Sequence, residues 1–416
     1  MKKTFDTSAK PEKFILVGLE ADSLDELYEL VKTANADGID RLVQHRDRPH
    51  PATYLGKGKV EELRDLIALH EATGIVCDDE LSNTQIRNLS EALDVKVLDR
   101  TLVILDIFAN NAHSSEAQAQ VELAQQRYRL AHLSGLGKSL SRLGGGIGTR
   151  GPGEKKLETD RRHIRRRIEE LNAELKVMET HRGVQRSSRE RSGEFVISLV
   201  GYTNAGKSTL MNALTEAGVY ASGKLFATLD ITTRKMTLPG GASARLSDTV
   251  GFINKLPHHL VKAFRATLSE LKFSDVLLHV VDSSSADSAA HIAVVNSVLK
   301  DIGVADKPIL LALNKVDKVE PGGAFPAPLD PSSEKTVQIS AKTGQGIPAL
   351  LSEIELLQNK GRKLIEAVIP YSEGALLDRI RHSCEITLEE YAESGVCVKF
   401  WANEEFANRT AQYTKL

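Results

Sequence analysis

Gly201 and Gly206 enclose four residues and are followed by Lys207-Ser208-Thr209. This is the spacing of a loop that cradles phosphate. Glycine at both positions lets the backbone curl until the N–H groups of Tyr202, Thr203, Asn204 and Ala205 can point inward at phosphate oxygens. Lys207 adds a positive charge for the β- and γ-phosphates, and the Ser208 hydroxyl is a candidate ligand for Mg2+. Such a loop needs a strand before it and a helix after it. The apolar run at 195–201 and the helical pattern at 208–217 supply both.

A second cluster addresses the base. Asn314-Lys315-Val316-Asp317 follows an apolar strand. A carboxylate accepts from two adjacent donors, and guanine offers N1–H and its N2 amino group side by side, whereas adenine has no such pair. A buried carboxylate left without those partners is costly, so Asp317 selects guanine strongly. Ser340-Ala341-Lys342 ends a further strand, where its backbone can meet guanine O6 while Lys342 covers the ring. Between the clusters lies Asp248-Thr249-Val250-Gly251. Asp248 can hold Mg2+ through water, and the Gly251 N–H can meet the γ-phosphate. Loss of that phosphate would release the loop, an order-to-disorder switch. Upstream, Leu225–Arg234 is the candidate for the other switch. It contains Thr228, Thr232 and Thr233, and spacing does not choose among them as a metal ligand.

The elements that must position these groups follow from periodicity. Residues 14 to about 112 alternate short apolar runs with helical patterns, which implies a parallel α/β sheet with crossover helices. Gly56–Lys59 precedes one helix. It can bind an anion, although a turn carrying solvated lysines is the stronger reading. Residues 114–133 read as a helix. Leu157, Ile164, Ile168, Leu171, Leu175 and Met178 form a heptad seam on a second, so the two should pack as an antiparallel hairpin. The intervening loop, Ser134 to Gly153, is rich in glycine and carries Lys138, Arg142 and Arg150 with no acid. Lys155, Lys156, Arg161, Arg162, Arg165, Arg166 and Arg167 follow on the second helix. A cationic loop on a basic stalk suits nucleic acid, because each cation near a phosphate releases a counterion. Residues 183–195 read as a polar linker. The expected organisation is an N-terminal α/β domain at 1–112, the hairpin at 113–190, a phosphate-loop GTPase domain at 195–360 and a small α+β module at 364–416.

In their order, these motifs resemble the translation-factor class of GTPases. The stretch from Ser141 to Arg162, with Phe226–Arg234 and Asp248–Ile253, resembles the HflX family, and the resemblance covers nearly the whole chain. It implies that Thr228 is the metal threonine beside Ser208, and that Phe226, Ala227, Thr228, Leu229 and Asp230 border the nucleotide. It also implies a monomeric, cytoplasmic GTPase, ribosome- or membrane-associated, that binds the large ribosomal subunit and its RNA and splits stalled ribosomes after stress. Some members also bind ATP through the N-terminal domain. The family usually has Pro where this chain has Ile231, which bears on the rigidity of the switch loop. Many GTPases place glutamine after Asp-x-x-Gly to orient the attacking water. Here Phe252 stands there, so hydrolysis should be slow alone and depend on a group supplied or ordered by the ribosome. Asn204 resembles the asparagine of GTPases that bind K+ beside the β- and γ-phosphates. It can serve that purpose or hydrogen-bond the loop to itself. On this reading Lys207, Gly251 and Asn204 carry the catalysis.

Composition excludes several classes. The 416 residues carry a formal net charge of −2, so any attraction for nucleic acid is local. No run of about 18 apolar residues is present to span a membrane, and the start reads as a polar tail, not a signal peptide. Cys77, Cys384 and Cys397 lack metal-ligand spacing and read as reduced thiols. No Cys–His, paired-carboxylate or metal constellation supports a second, RNA-modifying chemistry. A regulator that binds a protein partner through the C-terminal module would have no need of the acid-free basic tip.

Overall fold

The computed structural model describes residues 11–133, 152–192, 195–215, 225–226, 228–230, 232–255, 268–319, 332–360, 362–402 and 404–414. The basic loop at 134–151 and Ala227 lie outside them. Two units emerge. The first takes in the described residues of Met1–Glu179, Ser222–Asp230 and Lys255–Arg265, and the second those of Thr180–Ala221, Ile231–Asn254 and Ala266–Leu416.

Phe14-Ile15-Leu16-Val17 is apolar without interruption, and a strand of that kind must be covered on both faces. It forms β1 (Lys13–Gly18), an inner strand of a four-stranded parallel sheet in the order β2-β1-β3-β4. The others are β2 (Asp37–Val43), β3 (Gly74–Cys77) and β4 (Lys96–Asp99). Ile15 and Val17 pack in one cluster with Val60, Leu63 and Ile67 of α2 (Lys57–His70) and Leu89 and Leu93 of α3 (Asn83–Leu93). The alternate residues turn to the face of α1 (Ser23–Thr33), where Leu16 approaches Tyr28 at Gly38. Ser82 caps α3 in a reciprocal box with Gln85, an arrangement worth ~1 kcal/mol. Gly56 is the N-cap residue of α2 and donates its N–H to Gln44 Oε1 at 2.8 Å, and Lys59 pairs with Glu62 at 2.9 Å in the first turn of that helix.

β2 and α4 (Arg100–Asn111) were not foreseen. β2 mixes charged and apolar residues as an edge strand can. α4 is apolar nearly all round because it is buried, so it lacks the periodic polar face that marks a helix in sequence. α5 (Ser115–His132) packs on α6 (Pro152–Ser192) through Ala119, Leu123 and Leu171, with Ile168 and Leu175 beside them. Arg167 adds a two-pronged pair to Glu122 at 2.7 and 2.8 Å. The expected linker at 183–192 is instead the last part of α6. Its arginines, glutamate and glutamine are good helix formers, and the one glycine, Gly183, costs only about 1 kcal/mol.

The two further segments of the first unit are attached to it closely. Leu225, Phe226 and Leu229 are buried. Phe226 meets Phe108 edge-on at 4.7 Å, and its carbonyl accepts from Asn111 Nδ2 at 2.8 Å. Asp230 accepts from the N–H groups of His113 and Ser114 at 2.9 and 3.1 Å and from the Ser114 hydroxyl, at the start of α5. A carboxylate there also complements the helix dipole. Lys255, at a left-handed φ of 50°, reaches Asp78 at 2.6 Å and Asp79 at 3.1 Å. Asp78 follows β3, where the strand order reverses around β1, the usual crevice of such sheets.

In the second unit, a six-stranded sheet runs β10-β9-β8-β5-β7-β6, with only β6 antiparallel. Its strands are β5 (Phe195–Val200), β6 (Thr232–Thr237), β7 (Ser243–Asp248), β8 (Val276–Asp282), β9 (Ile309–Asn314) and β10 (Lys335–Gln338). The helices are α7 (Lys207–Thr215), α8 (Ser288–Asp301) and α9 (Ile347–Gln358). The C-terminal module forms a separate antiparallel sheet from β11 (Lys363–Ile369), β12 (Glu385–Ala392) and β13 (Gly395–Ala402), with β13 central. Leu377 and Ile380 of α10 (Gly374–Ser383) and Phe406 of α11 (Glu404–Thr410) cover one face around Val398 and Phe400. Among the described residues no helix is long and apolar enough to cross a membrane, and the three cysteines are unbridged.

Candidate functional site

Parallel strands deliver their loops to one edge. The loop after β5, Asp248 at the end of β7, Asp282 at the end of β8, Asn314 at the end of β9 and Ser340 after β10 all leave from carboxyl ends of strands. Ligands bind open α/β sheets at that edge.

The loop from Gly201 to Ser208 is shaped by close contacts. A β-carbon on Gly201 would lie 2.3 Å from the Val280 carbonyl oxygen, and one on Gly206 would lie 2.3 Å from Asn314 Nδ2. Gly206 is also left-handed, at φ 98°, so both positions require glycine. Lys207 is buried, and its Nζ donates to the carbonyls of Gly201 at 3.1 Å and Tyr202 at 2.9 Å. Burial pushes its pKa down to about 8, against the pull of Asp248. In the fold alone, this penalty is fully present below pH 8 and is relieved as pH rises toward 10.5. Bound phosphates would hold the proton on, so binding takes up a proton above pH 8. The expected result is an affinity for GDP that is flat from pH 7 to 8 and falls up to about tenfold per unit above it. Calorimetric titrations across pH 7–9.5 would show this, and an unchanged affinity at pH 9 would refute it.

Ser208 Oγ donates to Asp248 Oδ2 at 2.9 Å, so a hydroxyl and a fully buried carboxylate meet at the end of the loop. That oxygen donor set suits a hard cation such as Mg2+. Thr249 fixes the strand end by donating to the Leu199 carbonyl at 2.6 Å. Gly251 is pressed on the loop: a β-carbon there would lie 2.8 Å from Thr203 Cγ2 and 3.0 Å from Lys207 Nζ. Phe252 is buried with Val200, Leu268, Leu271 and Leu277, so its ring serves the core. Asn204 is left-handed at φ 59° and exposed, and among the described residues its side chain makes no hydrogen bond. Its carbonyl accepts from Lys315 Nζ at 2.7 Å.

At the base side, Asn314 Nδ2 donates to the Ala205 carbonyl at 2.8 Å and its Oδ1 accepts from the Ala341 N–H at 2.9 Å. One side chain thereby ties the phosphate loop to the Ser340–Lys342 loop. Ser340 donates to Asp317 Oδ1 at 2.7 Å and orients that carboxylate. Val316, Asp317 and Lys342 reach the surface, Asp317 and Lys342 being exposed, so the carboxylate is not buried by the protein alone. Sequence reasoning missed Asp282, which pairs with Lys315 at 2.6 Å. Burial opposes its charge, but bonds from Lys315 and Ser284 hold its pKa below the ordinary carboxylate value. A terminal acid on the apolar strand Val276–Asp282 was the available signal.

Phe226, Thr228, Leu229 and Asp230 are grouped with the first unit, as described above, whereas Thr232 and Thr233 begin β6. Thr232 and Thr233 therefore share β6, and Thr228 lies outside that strand.

Three family models match successive parts of the chain up to residue 315. Residues 21–109 match the family described as GTP-binding GTPase N-terminal, 111–189 the GTP-binding GTPase middle region, and 196–315 the 50S ribosome-binding GTPase. GTPase HflX of Lacrimispora saccharolytica is 52% identical over 401 residues, covering 95% of this chain and 94% of the relative. GTPase HflX of Escherichia coli is 39% identical over 406 residues, covering 94% and 93%. A solved GTP-binding protein from Sulfolobus solfataricus in complex with GDP is 26% identical at a TM-score of 0.45, over 84% of this chain and 99% of that one. The identities to the two HflX relatives, 52% and 39% along almost the whole length, show that the chain belongs to the HflX family of GTPases.

Proposed function

We propose that this GTPase acts on the large ribosomal subunit, that the GTP-bound state docks there to split or rescue stalled ribosomes, and that hydrolysis permits release. The observation that carries the reading is α6. Arg162, Arg165 and Arg166 are exposed on it, and it leads back to the acid-free basic loop at 134–151. Exposed arginines leading to an acid-free basic loop fit ribosomal RNA, with Glu158, Glu169 and Glu170 also exposed on the helix and Arg166 paired with Glu170 at 3.0 Å. The description of the matching GTPase family as 50S ribosome-binding supports the same partner.

Ser208 and Thr228 would hold Mg2+ directly and Asp248 through water. The ion would neutralise charge on the β- and γ-phosphates. Lys207 and the loop N–H groups bind the phosphates, Gly251 donates to the γ-phosphate, and Asp317 with the Asn314 and Ser340–Lys342 supports binds guanine. With Phe252 committed to the core, this chain lacks a side chain there to orient water, so the ribosome supplies or orders what is missing. The exposed side chain of Asn204 supports a K+ role over a bond within its own loop.

GTP turnover with K+ or Na+, each with and without purified large subunits, tests the proposal. Stimulation of tenfold or more by the subunits and a K+ preference are expected. No stimulation would remove the ribosome from the mechanism.

A further inference from the structure

Among the described residues, three hydrogen bonds of note join the phosphate loop to the segment after Asp248. Phe252 donates its N–H to the Gly201 carbonyl at 3.2 Å, and its own carbonyl accepts from the Thr203 N–H at 2.7 Å. Both are backbone bonds that other side chains would permit. The third depends on a side chain: the Tyr202 hydroxyl oxygen accepts from the Asn254 N–H at 2.7 Å. The second position of a phosphate loop contributes backbone to phosphate, and nothing in that task calls for a phenol.

The phenol is held firmly. Tyr202 is 6% exposed, and its ring stacks on that of His291 with centroids 3.8 Å apart and 16° between planes. His291 sits in the first turn of α8 and so is fixed by a helix of the sheet. Asn254 is the last residue before the left-handed turn at Lys255, so the bond is made where the segment leaves the loop. At its other end, Gly251 already lies against Thr203 and Lys207. The segment is thus anchored by Phe252 in the core and closed by Tyr202 at its end.

We infer that Tyr202 is a positioning residue for GTP hydrolysis. Its hydroxyl holds Gly251–Asn254 on the phosphate loop, and the His291 ring holds the hydroxyl in place. The inference rests on the reading of Gly251 as the donor to the γ-phosphate. Because GDP lacks that phosphate, loosening the segment should affect GTP and its turnover while GDP binding is spared.

Tyr202→Phe removes only the hydroxyl and keeps the ring stack and both backbone bonds. In the full chain, hydrogen exchange at the Asn254 amide should accelerate about tenfold or more, while amides of β5 keep their protection. One net hydrogen bond corresponds to roughly 2–10-fold, so kcat should fall by about that factor. GDP affinity should stay within about twofold of the parent, and the melting temperature should fall by no more than about 4 °C, as one lost hydrogen bond allows. His291→Ala should shift both readouts in the same direction by less, and His291→Phe should restore them. If Tyr202→Phe does not fold, that pair carries the test through the same readouts. Unchanged exchange at Asn254 would overturn the hydrogen bond itself. Faster exchange with unaltered kcat and GTP preference would overturn the positioning role and trace the failure to Gly251. Parallel loss of GTP affinity, GDP affinity and melting temperature would make Tyr202 merely structural.

Discussion

Asp317→Asn is expected to weaken GDP binding by roughly 10²–10⁴-fold. The parent carboxylate offers two acceptor oxygens to the two adjacent donors of guanine. The carboxamide offers one acceptor and one donor, so one bond is lost and two donors are brought face to face. Charge-assisted bonds contribute about 1.5–3 kcal/mol each, so losing one outright, losing the charge assistance of the other and opposing two donors give the stated range. Ser340 should still donate to the remaining oxygen at position 317, since it bonds Oδ1, so the loop itself should keep its shape. Xanthine carries a carbonyl where guanine has its amino group and can accept from the new amide. The variant should therefore bind xanthosine diphosphate better than the parent does. Calorimetry with both diphosphates decides the matter. GDP affinity within about threefold of the parent would refute the assignment of Asp317 to the base.

The second large effect is on stability. Arg100 is 2% exposed and Asp78 fully buried; Arg100 Nη1 donates to Asp78 Oδ1 at 2.7 Å and Nη2 reaches Glu26. Arg100→Met keeps the bulk and removes the charge, leaving Asp78 to Lys255 and its remaining partners. Breaking one side of a buried pair costs about 3–5 kcal/mol. Burial already raises the Asp78 pKa, against hydrogen bonds from Lys255 and Ser23, and loss of the guanidinium would raise it further. A carboxyl whose folded pKa lies above its unfolded value favours the fold only while protonated. The variant should therefore be nearest the parent at low pH and fall behind as pH rises through the folded value. Urea midpoints of the first unfolding transition at pH 5.5 and pH 8 would show it. Arg100→Met with Asp78→Leu should recover most of the loss. A single variant as stable as the parent at pH 8 would dispose of the prediction.

What could be read in advance follows from how local each signal is. Gly201, Gly206, Lys207, Asn314 and Asp317 are set by short motifs whose chemistry dictates residue type, and the sheet edge gathers their loops. The roles of Asp282 and of the Tyr202 hydroxyl were not legible, although Asp282 stands out as an acid ending an apolar strand, because each acts through a partner distant in sequence: Lys315 for one and Asn254 for the other. β1, β3 and β5 announced themselves as unbroken apolar runs. α4 did not, since burial all round erased its period, and the end of α6 did not, since a charged helix without an apolar stripe resembles a linker. The attachment of Phe226 and Asp230 to α4 and α5 is a tertiary contact across more than a hundred residues, beyond the reach of any periodicity.

That attachment sets a thermodynamic condition on the proposed switch. Any conformer in which residues 225–226 and 228–230 leave the first unit exposes Leu225, Phe226 and Leu229 and removes the acid from the start of α5. Each such side chain is worth about 1.5–3 kcal/mol of burial, so several kilocalories per mole favour the docked form unless the segment finds new cover. A nucleotide can redistribute the two forms only by its differential affinity for them. Inverting a hundredfold preference takes about 5.5 kcal/mol of that difference. Without such a margin, GTP would bind and leave the segment where it lies, and the docked population rather than the chemistry would then limit how often the chain is competent to act.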